Sequence, residues 1–211
     1  MTEGARAERL GAVTEAKRAL ILDAALRVFA RDGLREASIR AIAKEAGYAT
    51  GAIYAYFPSK EHIYAAGLRE ALQRLQAATE AASAPVGDAA ARYVAASLAF
   101  FDFYDANPRD LDMGFYLFAG GMAPRGLSDD EVNRELNAAL LDALEPARAA
   151  AEQLVGAQEA TRLTAEAFAH TSGLLLLRHT HRLNLFKLDA RELMQRYLAD
   201  QIDRGEPIQR L

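Results

Sequence analysis

The sequence predicts an all-α chain of about nine helices, and three observations lead there. Alanine and leucine are abundant and β-branched residues sparse across the 211 residues. Apolar positions recur every three or four residues, and no stretch alternates with period two for long enough to make a strand. Helix start and stop signals (Ser or Asp before an apolar run, Gly or Pro after it) divide the chain repeatedly.

The opening stretch MTEGARAERLGAVTEAKRAL reads as a polar, flexible arm over residues 1–14 that leads into a helix. From Ala16 to Ala30, Leu20, Ile21, Ala24, Ala25, Val28 and Phe29 keep helical spacing. Asp32-Gly33 stops that helix, with Gly33 suited to a left-handed backbone past its end. Ser38 caps a short helix over 38–45, with Ile39, Ile42, Ala43 and Ala46 facing inward, and Gly47 closes it. A second short helix covers 49–55, because Pro58-Ser59 announces the next start; Ser59 caps a long helix to about Ala82. Ala84-Pro85-Val86-Gly87 is a break. The following helix runs from Asp88 to Asn107, since the residue before Pro108 resists helical backbone, and a shorter helix spans 109–118. Residues 119–126 read as a loop. Ser128 and Glu131 form a capping box. The helix they open is expected to kink or divide at Pro146, because an interior proline costs about 3 kcal/mol. Gln158 to Leu183 reads as one helix, and Asp189 caps the last, to about Arg204.

Composition excludes several classes. No cysteine is present, so disulfides and thiolate metal sites are ruled out and a reducing, cytoplasmic setting is expected. No apolar run approaches the ~20 residues of a membrane span, and the N-terminus lacks the apolar core of a signal peptide. His170, His179 and His181 raise the question of a metal. On a helix, 179 and 181 point about 200° apart, and no carboxylate completes a set, so neither metal nor cofactor is expected. The net charge of −4 hides an asymmetry: residues 1–60 carry ten Lys/Arg against seven Asp/Glu, while the remainder is acidic. A locally basic N-terminal segment can bind DNA.

The distinctive feature is the pair of very short helices joined by a glycine turn. Isolated helices below ~12–15 residues are marginal in water, so this pair needs the preceding helix as a platform. That is a helix-turn-helix layout, whose second helix enters the major groove. Ala49, Gly51, Ala52 and Ala55 keep the second helix thin, so DNA can come close. Thr50 and Tyr54 are placed to reach base edges or phosphates, and Ser38 and Tyr56 can donate to phosphate oxygens. Lys60, in the first turn of the next helix, can join the exposed amides there in holding a phosphate. Ile53 and Phe57 are the inward anchors. Arg40 and Lys44 read as solvated, with phosphate contact as the alternative.

The run Gly33-x4-Ser38-Ile39-x2-Ile42-Ala43-x2-Ala46-Gly47-Tyr48-Ala49-Thr50-Gly51-Ala52-Ile53-Tyr54-x-Tyr56-Phe57-x-Ser59-Lys60-Glu61 resembles the TetR/AcrR family of bacterial transcriptional regulators. The resemblance covers about residues 15–65. It implies a helix-turn-helix domain over 15–62 and a helical ligand-binding and dimerisation domain over 63–211. It also implies a homodimer on double-stranded, inverted-repeat operator DNA, released by a small apolar or amphipathic effector. Two positions depart from the family pattern: Tyr48 stands where valine is common, and Ala49 where a serine often caps the recognition helix. The lost cap is worth about 1 kcal/mol, phosphate contact shifts to Thr50, Tyr54 and Tyr56, and Tyr48 is a candidate compensating contact.

Beyond residue 63, seven aromatics crowd residues 100–118. Most are expected to be core, yet an apolar cavity between helices is a common ligand site. Phe101, Tyr104, Met113, Tyr116, Phe118, Phe168, His170 and Leu174 are the candidate effector-binding residues. Asp102, Asp105 and Arg109 are further polar candidates. Ala165, Ala169, Ser172, Gly173, Leu176 and Thr180 form a small-residue stripe that allows close helix approach. With Leu193 and Tyr197 they are the candidate dimer interface, since the resemblance places dimerisation on the last two helices. The competing reading of the whole chain is a small helical enzyme or ligand carrier that uses the aromatic pocket around residues 98–122. Against an enzyme, the sequence has no phosphate loop, no Ser/His/Asp spacing and no metal motif.

Overall fold

The computed structural model describes residues 3–116 and 130–205, without the side chains of residues 3, 5–7, 115, 116, 204 and 205. The described residues are all-α, with nine helices: α1 Glu3–Glu36, α2 Ile39–Ala46, α3 Thr50–Ile53, α4 Lys60–Ser83, α5 Ala89–Ala106, α6 Pro108–Tyr116, α7 Asp130–Val155, α8 Ala157–His179 and α9 Ala190–Gly205. The loop expected over 119–126, the Ser128 cap and Phe118 lie outside the described residues, as does the side chain of Tyr116.

Local capping explains most boundaries. Ser38, with extended backbone, accepts from the Ala41 amide at 3.1 Å and opens α2. At the other end Gly47 takes φ 74° and ψ 27°. Its amide donates to Lys44 O at 3.3 Å and the Tyr48 amide to Ala43 O at 2.9 Å. This paired closure is the Schellman arrangement, which needs a residue free to adopt positive φ. Ser59 Oγ lies 3.4 Å from the His62 amide at the start of α4. Asp88 accepts from the Ala91 amide at 2.8 Å, and Asp189 accepts from the amides of Arg191 and Glu192 at 2.9 and 3.0 Å. Pro108 occupies the first position of α6, where a missing N–H costs nothing.

Four expectations are corrected. Residues 3–14, expected as a flexible arm, continue α1; the run is rich in Ala, Glu, Arg and Leu, which favour helix. The second short helix is four residues, and 54–56 form a turn. Of the two outcomes expected at Pro146, a kink or a division, division does not occur, and α7 continues through it; the proline's cost is offset by a buried alanine face that includes Ala143, Ala147, Ala150 and Ala151. The helix expected to reach Leu183 ends at His179, because His181 adopts φ 57° and a 3-10 turn, Arg182–Leu185, follows.

The chain forms two compact units, Met1–Glu70 with Phe115–Leu136, and Ala71–Gly114 with Asn137–Leu211. In the first, Ile21 and Val28 of α1, Ile42 of α2, Ile53 of α3 and Ile63 of α4 are fully buried. The Phe29 ring meets Tyr64 edge-on with centroids 5.5 Å apart. In the second, Tyr93 and Phe101 of α5, Leu175 of α8, and Met194 and Leu198 of α9 form the centre. The Tyr93 hydroxyl donates to Gln201 Oε1 at 2.6 Å, so its polar tip is satisfied inside the core. Burial pushes its pKa well above the usual phenol value. Arg191 grips Asp102 with two bonds of 2.7 and 3.0 Å, and Arg178 pairs with Asp105, fastening α9 and α8 to α5. These carboxylates, candidate ligand groups in the sequence, are ion-pair partners.

The α1–α2 corner gives a test. Gly33 sits at φ 73° and ψ 161° and kinks α1 near its end. This is not the left-handed helical well but a region essentially reserved for glycine. A Cβ would meet nothing within 4 Å at either Gly33 or Gly47, so substitution costs backbone strain alone. Gly33→Ala should therefore destabilise more than Gly47→Ala, each by about 1–3 kcal/mol, as read from denaturant midpoints. Equal losses would contradict the backbone assignment.

Candidate nucleic-acid interface

α2 and α3 are held on α1 by apolar contact and by charge. Ile42 and Ile53 are fully buried, and Phe57 is 2% exposed. Arg27 donates to Glu45 at 2.9 Å and also pairs with Asp23, while Arg31 bonds Asp32 at 2.8 Å. The Arg27 hydrogen bond holds the Glu45 carboxyl below its usual range. Two of the segment's cations are thus committed internally. Arg40 and Lys44 on α2 are exposed and carry no ion pair among the described residues. They are free to meet phosphate.

The exposed surface of this pair holds most of the predicted DNA residues. Ser38, Ala49, Thr50, Gly51 and Tyr54 are exposed, Tyr54 to 55%, while Tyr48 and Tyr56 are half-buried. Ser38 Oγ accepts the α2 cap bond, and its hydroxyl proton remains able to donate outward. Ala49 is the residue before α3 and makes no side-chain cap bond, so the first turn of α3 lacks the usual acceptor. A Cβ on Gly51 would meet no atom within 4 Å, and its φ is not in the positive region. Among the described residues nothing requires glycine there.

Lys60 is the clear correction. Its ammonium donates to the carbonyls of Leu34, Arg35 and Ala37, each at 2.9 Å. All three N–H groups are spent on the backbone after Gly33, so the expected phosphate contact gives way to a clamp between α4 and the end of α1. Those carbonyls belong to the last residues of α1 and the link to α2, where a helix runs out of amides to bond its final carbonyls. That is why a lysine at a helix start, disfavoured by the helix dipole, settles there. Sequence spacing gives no hint of it, because the partners are 23 to 26 positions away.

Residues 21–66 match the family model described as bacterial regulatory proteins, tetR family. Over that stretch the chain is similar to the family. The repressor KstR of Mycolicibacterium smegmatis is 37% identical over 67 residues, 32% of this chain and 33% of KstR. The nicotine-responsive repressor HdnoR of Paenarthrobacter nicotinovorans is 41% identical over 59 residues, 28% of this chain and 30% of HdnoR. The chain thus spans about a third of the length of the curated relatives it matches. Two solved structures share the fold more widely. The regulator FadR of Bacillus subtilis, in complex with stearoyl-CoA, has a TM-score of 0.66 at 20% identity, covering 87% of this chain and 96% of FadR. The TetR-family regulator PfmR of Thermus thermophilus has 0.65 at 21%, covering 89% and 95%. All four are regulators and none is described as an enzyme.

In the second unit most of the predicted effector residues are engaged in packing. Phe101 is fully buried core, and Leu174 is buried. Tyr104 packs edge-on against Phe100 and Phe103, with centroids at 5.2 and 5.4 Å. Met113 is half-buried and engaged. The His170 ring stacks on Tyr197 at 3.9 Å and 13°. Among the described members of the set, only Phe168 lines the internal void, which Ala96, Ser97, Phe100, Ala143, Ala147, Thr164 and Thr171 share. Its volume is about 10 Å³, the size of one water. The sequence signal for these walls is a run of small residues on three helices, which core packing also produces. Of the predicted dimer residues, Ala165, Ala169, Gly173 and Thr180 are exposed, and Leu176 is 53% exposed. They form one stripe along α8 that ends on its C-cap residue Thr180, while Ser172, Leu193 and Tyr197 are half-buried. Among the described residues no group of His, Asp and Glu could hold a metal, and no helix is long and apolar enough to cross a membrane.

Lys60 and His170 each give a measurable outcome. Lys60→Ala should lower head stability by about 1–3 kcal/mol while leaving the salt dependence of DNA binding unchanged, as seen by comparing denaturation with binding titrations at several salt concentrations. Burial lowers the His170 pKa, so its proton binds the unfolded chain more readily. The melting temperature should then fall as pH drops below ~6.5, and His170→Gln should flatten that fall.

Proposed function

We propose that the chain is a DNA-binding transcriptional repressor, acting as a homodimer on an inverted-repeat operator and released by a small uncharged effector. The observation that carries the DNA reading is Gly51: an exposed, unstrained glycine on α3 with open space at its Cβ. It is flanked by exposed Ala49, Thr50 and Tyr54 and anchored by buried Ile53. A surface kept thin without internal need, beside a tyrosine held outward, suits a body that must come within backbone distance. Repression is the activity that the names of KstR and HdnoR give those relatives.

Dimerisation is supported by the exposed α8 stripe with Leu176 at its C-terminal end. Two-fold pairing presents two copies of α3, which calls for two operator half-sites about 34 Å apart. The effector reading rests on the void in the second unit. Its walls are alanines, phenylalanines and Leu144 with the hydroxyls of Ser97, Thr164 and Thr171, and no charged side chain. A molecule with one hydroxyl or carbonyl suits such walls better than a carboxylate. At one water's volume, binding must select a state in which Phe100 and Phe168 have moved apart. An effector that binds this opened state more tightly than the DNA-competent one releases DNA, and DNA reciprocally weakens the effector.

Gly51→Ala separates the readings sharply. In the free protein it should be neutral or stabilising by up to about 1 kcal/mol, yet it should weaken binding to the chain's own promoter fragment by at least about tenfold. Tyr54→Ala should weaken binding without loss of folded structure. Undiminished promoter binding by both variants would sink the assignment of α3 as the reading element. Leu176→Arg should give a monomer by native mass spectrometry, and an unchanged dimer mass would remove the α8 interface.

A further inference from the structure

The first unit contains a second cavity, of about 310 Å³, that shares only Tyr56 with the predicted DNA surface and has no part in the effector reading. That volume is at the lower end of the range that holds small ligands. Every residue that lines it belongs to the DNA-binding unit. Its apolar walls are Phe57, Pro58, Ala65, Ala66 and Val132, and Tyr56 contributes an edge.

The charges that line it are unequal in availability. Arg69 of α4 is paired with Glu135 of α7, so those two neutralise each other. Glu131 and His62 are both engaged by neighbours. Arg18 of α1 is different. Its guanidinium lies 4.6 Å from the centroid of the Phe57 ring, stacked over it, and it has no carboxylate within ion-pair distance among the described residues. A half-buried cation beside the apolar wall of a mixed polar and apolar cavity, with only a ring as partner, is a site for an anion carried on an apolar body. Arginine's planar fork suits a carboxylate in particular.

We propose that this cavity binds a small apolar carboxylic acid, with its carboxylate on Arg18 and its body against Phe57, Pro58 and Ala66. The consequence for DNA, which rests on the function proposed above, follows from what Arg18 leaves behind. Phe57 is the anchor directly after the Tyr54–Tyr56 turn, and the stacked guanidinium covers its ring. A carboxylate that draws Arg18 away uncovers that ring and loosens the seat of the turn that presents Tyr54. Acid binding should therefore lower DNA affinity. It would be a second input, on the head itself, and chemically opposite to the uncharged effector of the other unit.

The test uses the full chain without DNA, titrated calorimetrically with 3-phenylpropionate and with its neutral amide. The acid should bind at least about tenfold more tightly than the amide. Arg18→Gln should bring the acid down to the amide's level, and Arg18→Lys should retain part of the preference, which guards against a mere folding defect. Equal binding of acid and amide, or full acid binding by Arg18→Gln, overturns the site; the latter would place the acid elsewhere in the chain. With promoter DNA, the acid should weaken binding by roughly five- to tenfold in the wild type and leave Arg18→Gln unaffected. If the acid binds through Arg18 while DNA affinity stays constant, the coupling is overturned. A chain that binds acid through Arg18 but binds no DNA upholds the site and removes the regulatory reading instead.

Discussion

The helix-turn-helix head depends on one ammonium group. Lys60 gathers the carbonyls of Leu34, Arg35 and Ala37 at 2.9 Å, just past the kink at Gly33. Three helix-end carbonyls would otherwise face solvent or the head's interior, and unsatisfied backbone acceptors are costly to leave. By satisfying them from the first residue of α4, the chain joins the end of α1, the approach to α2 and the start of α4 at a single point. Between those fixed ends hang α2 and α3, of eight and four residues, neither able to persist alone. The clamp, the Gly47 closure and the burial of Ile42, Ile53 and Phe57 supply the order that their length does not.

That arrangement divides labour cleanly across α3 and its turn. One side is committed to the core and the other presents alanine, glycine, threonine and tyrosine to the outside. Because internal ion pairs consume Arg27 and Arg31, the basic excess of residues 1–60 overstates the charge on offer. Arg40 and Lys44, whose sequence context reads as solvated, are better placed to meet phosphate than Lys60, whose context reads as a phosphate ligand. A positive charge near DNA counts only after its existing partners are known.

The second unit shows the same principle in apolar form. The aromatics of α5 pack edge-on against one another and against Phe168, and what remains among them is a water-sized void. Aromatic density at helical spacing, taken alone, fits both a core and a pocket. Here the aspartates between those aromatics are drawn into ion pairs with Arg178 and Arg191. Polar groups that sequence position alone would offer to a ligand instead fasten helices together.

Fold class, helix order and the position of the two short helices were legible in the residues, because each rests on local signals. Ser38, Gly47, Ser59, Asp88, Pro108 and Asp189 act on backbone groups within four positions of themselves, and helical periodicity needs no distant partner. Ala49 could likewise be read as a missing cap, since capping is local. The four-residue length of α3, the continuity of α7 through Pro146 and the end of α8 at His179 were not legible, because burial and turn geometry elsewhere outweigh local preference there. Least legible were the roles of Lys60 and Arg18. Lys60's partners lie more than twenty residues away, and Arg18 meets a ring thirty-nine positions on. Only the folded chain decides what stands within reach of a long, flexible cation, and that decides whether it clamps backbone, covers a ring or waits for an anion.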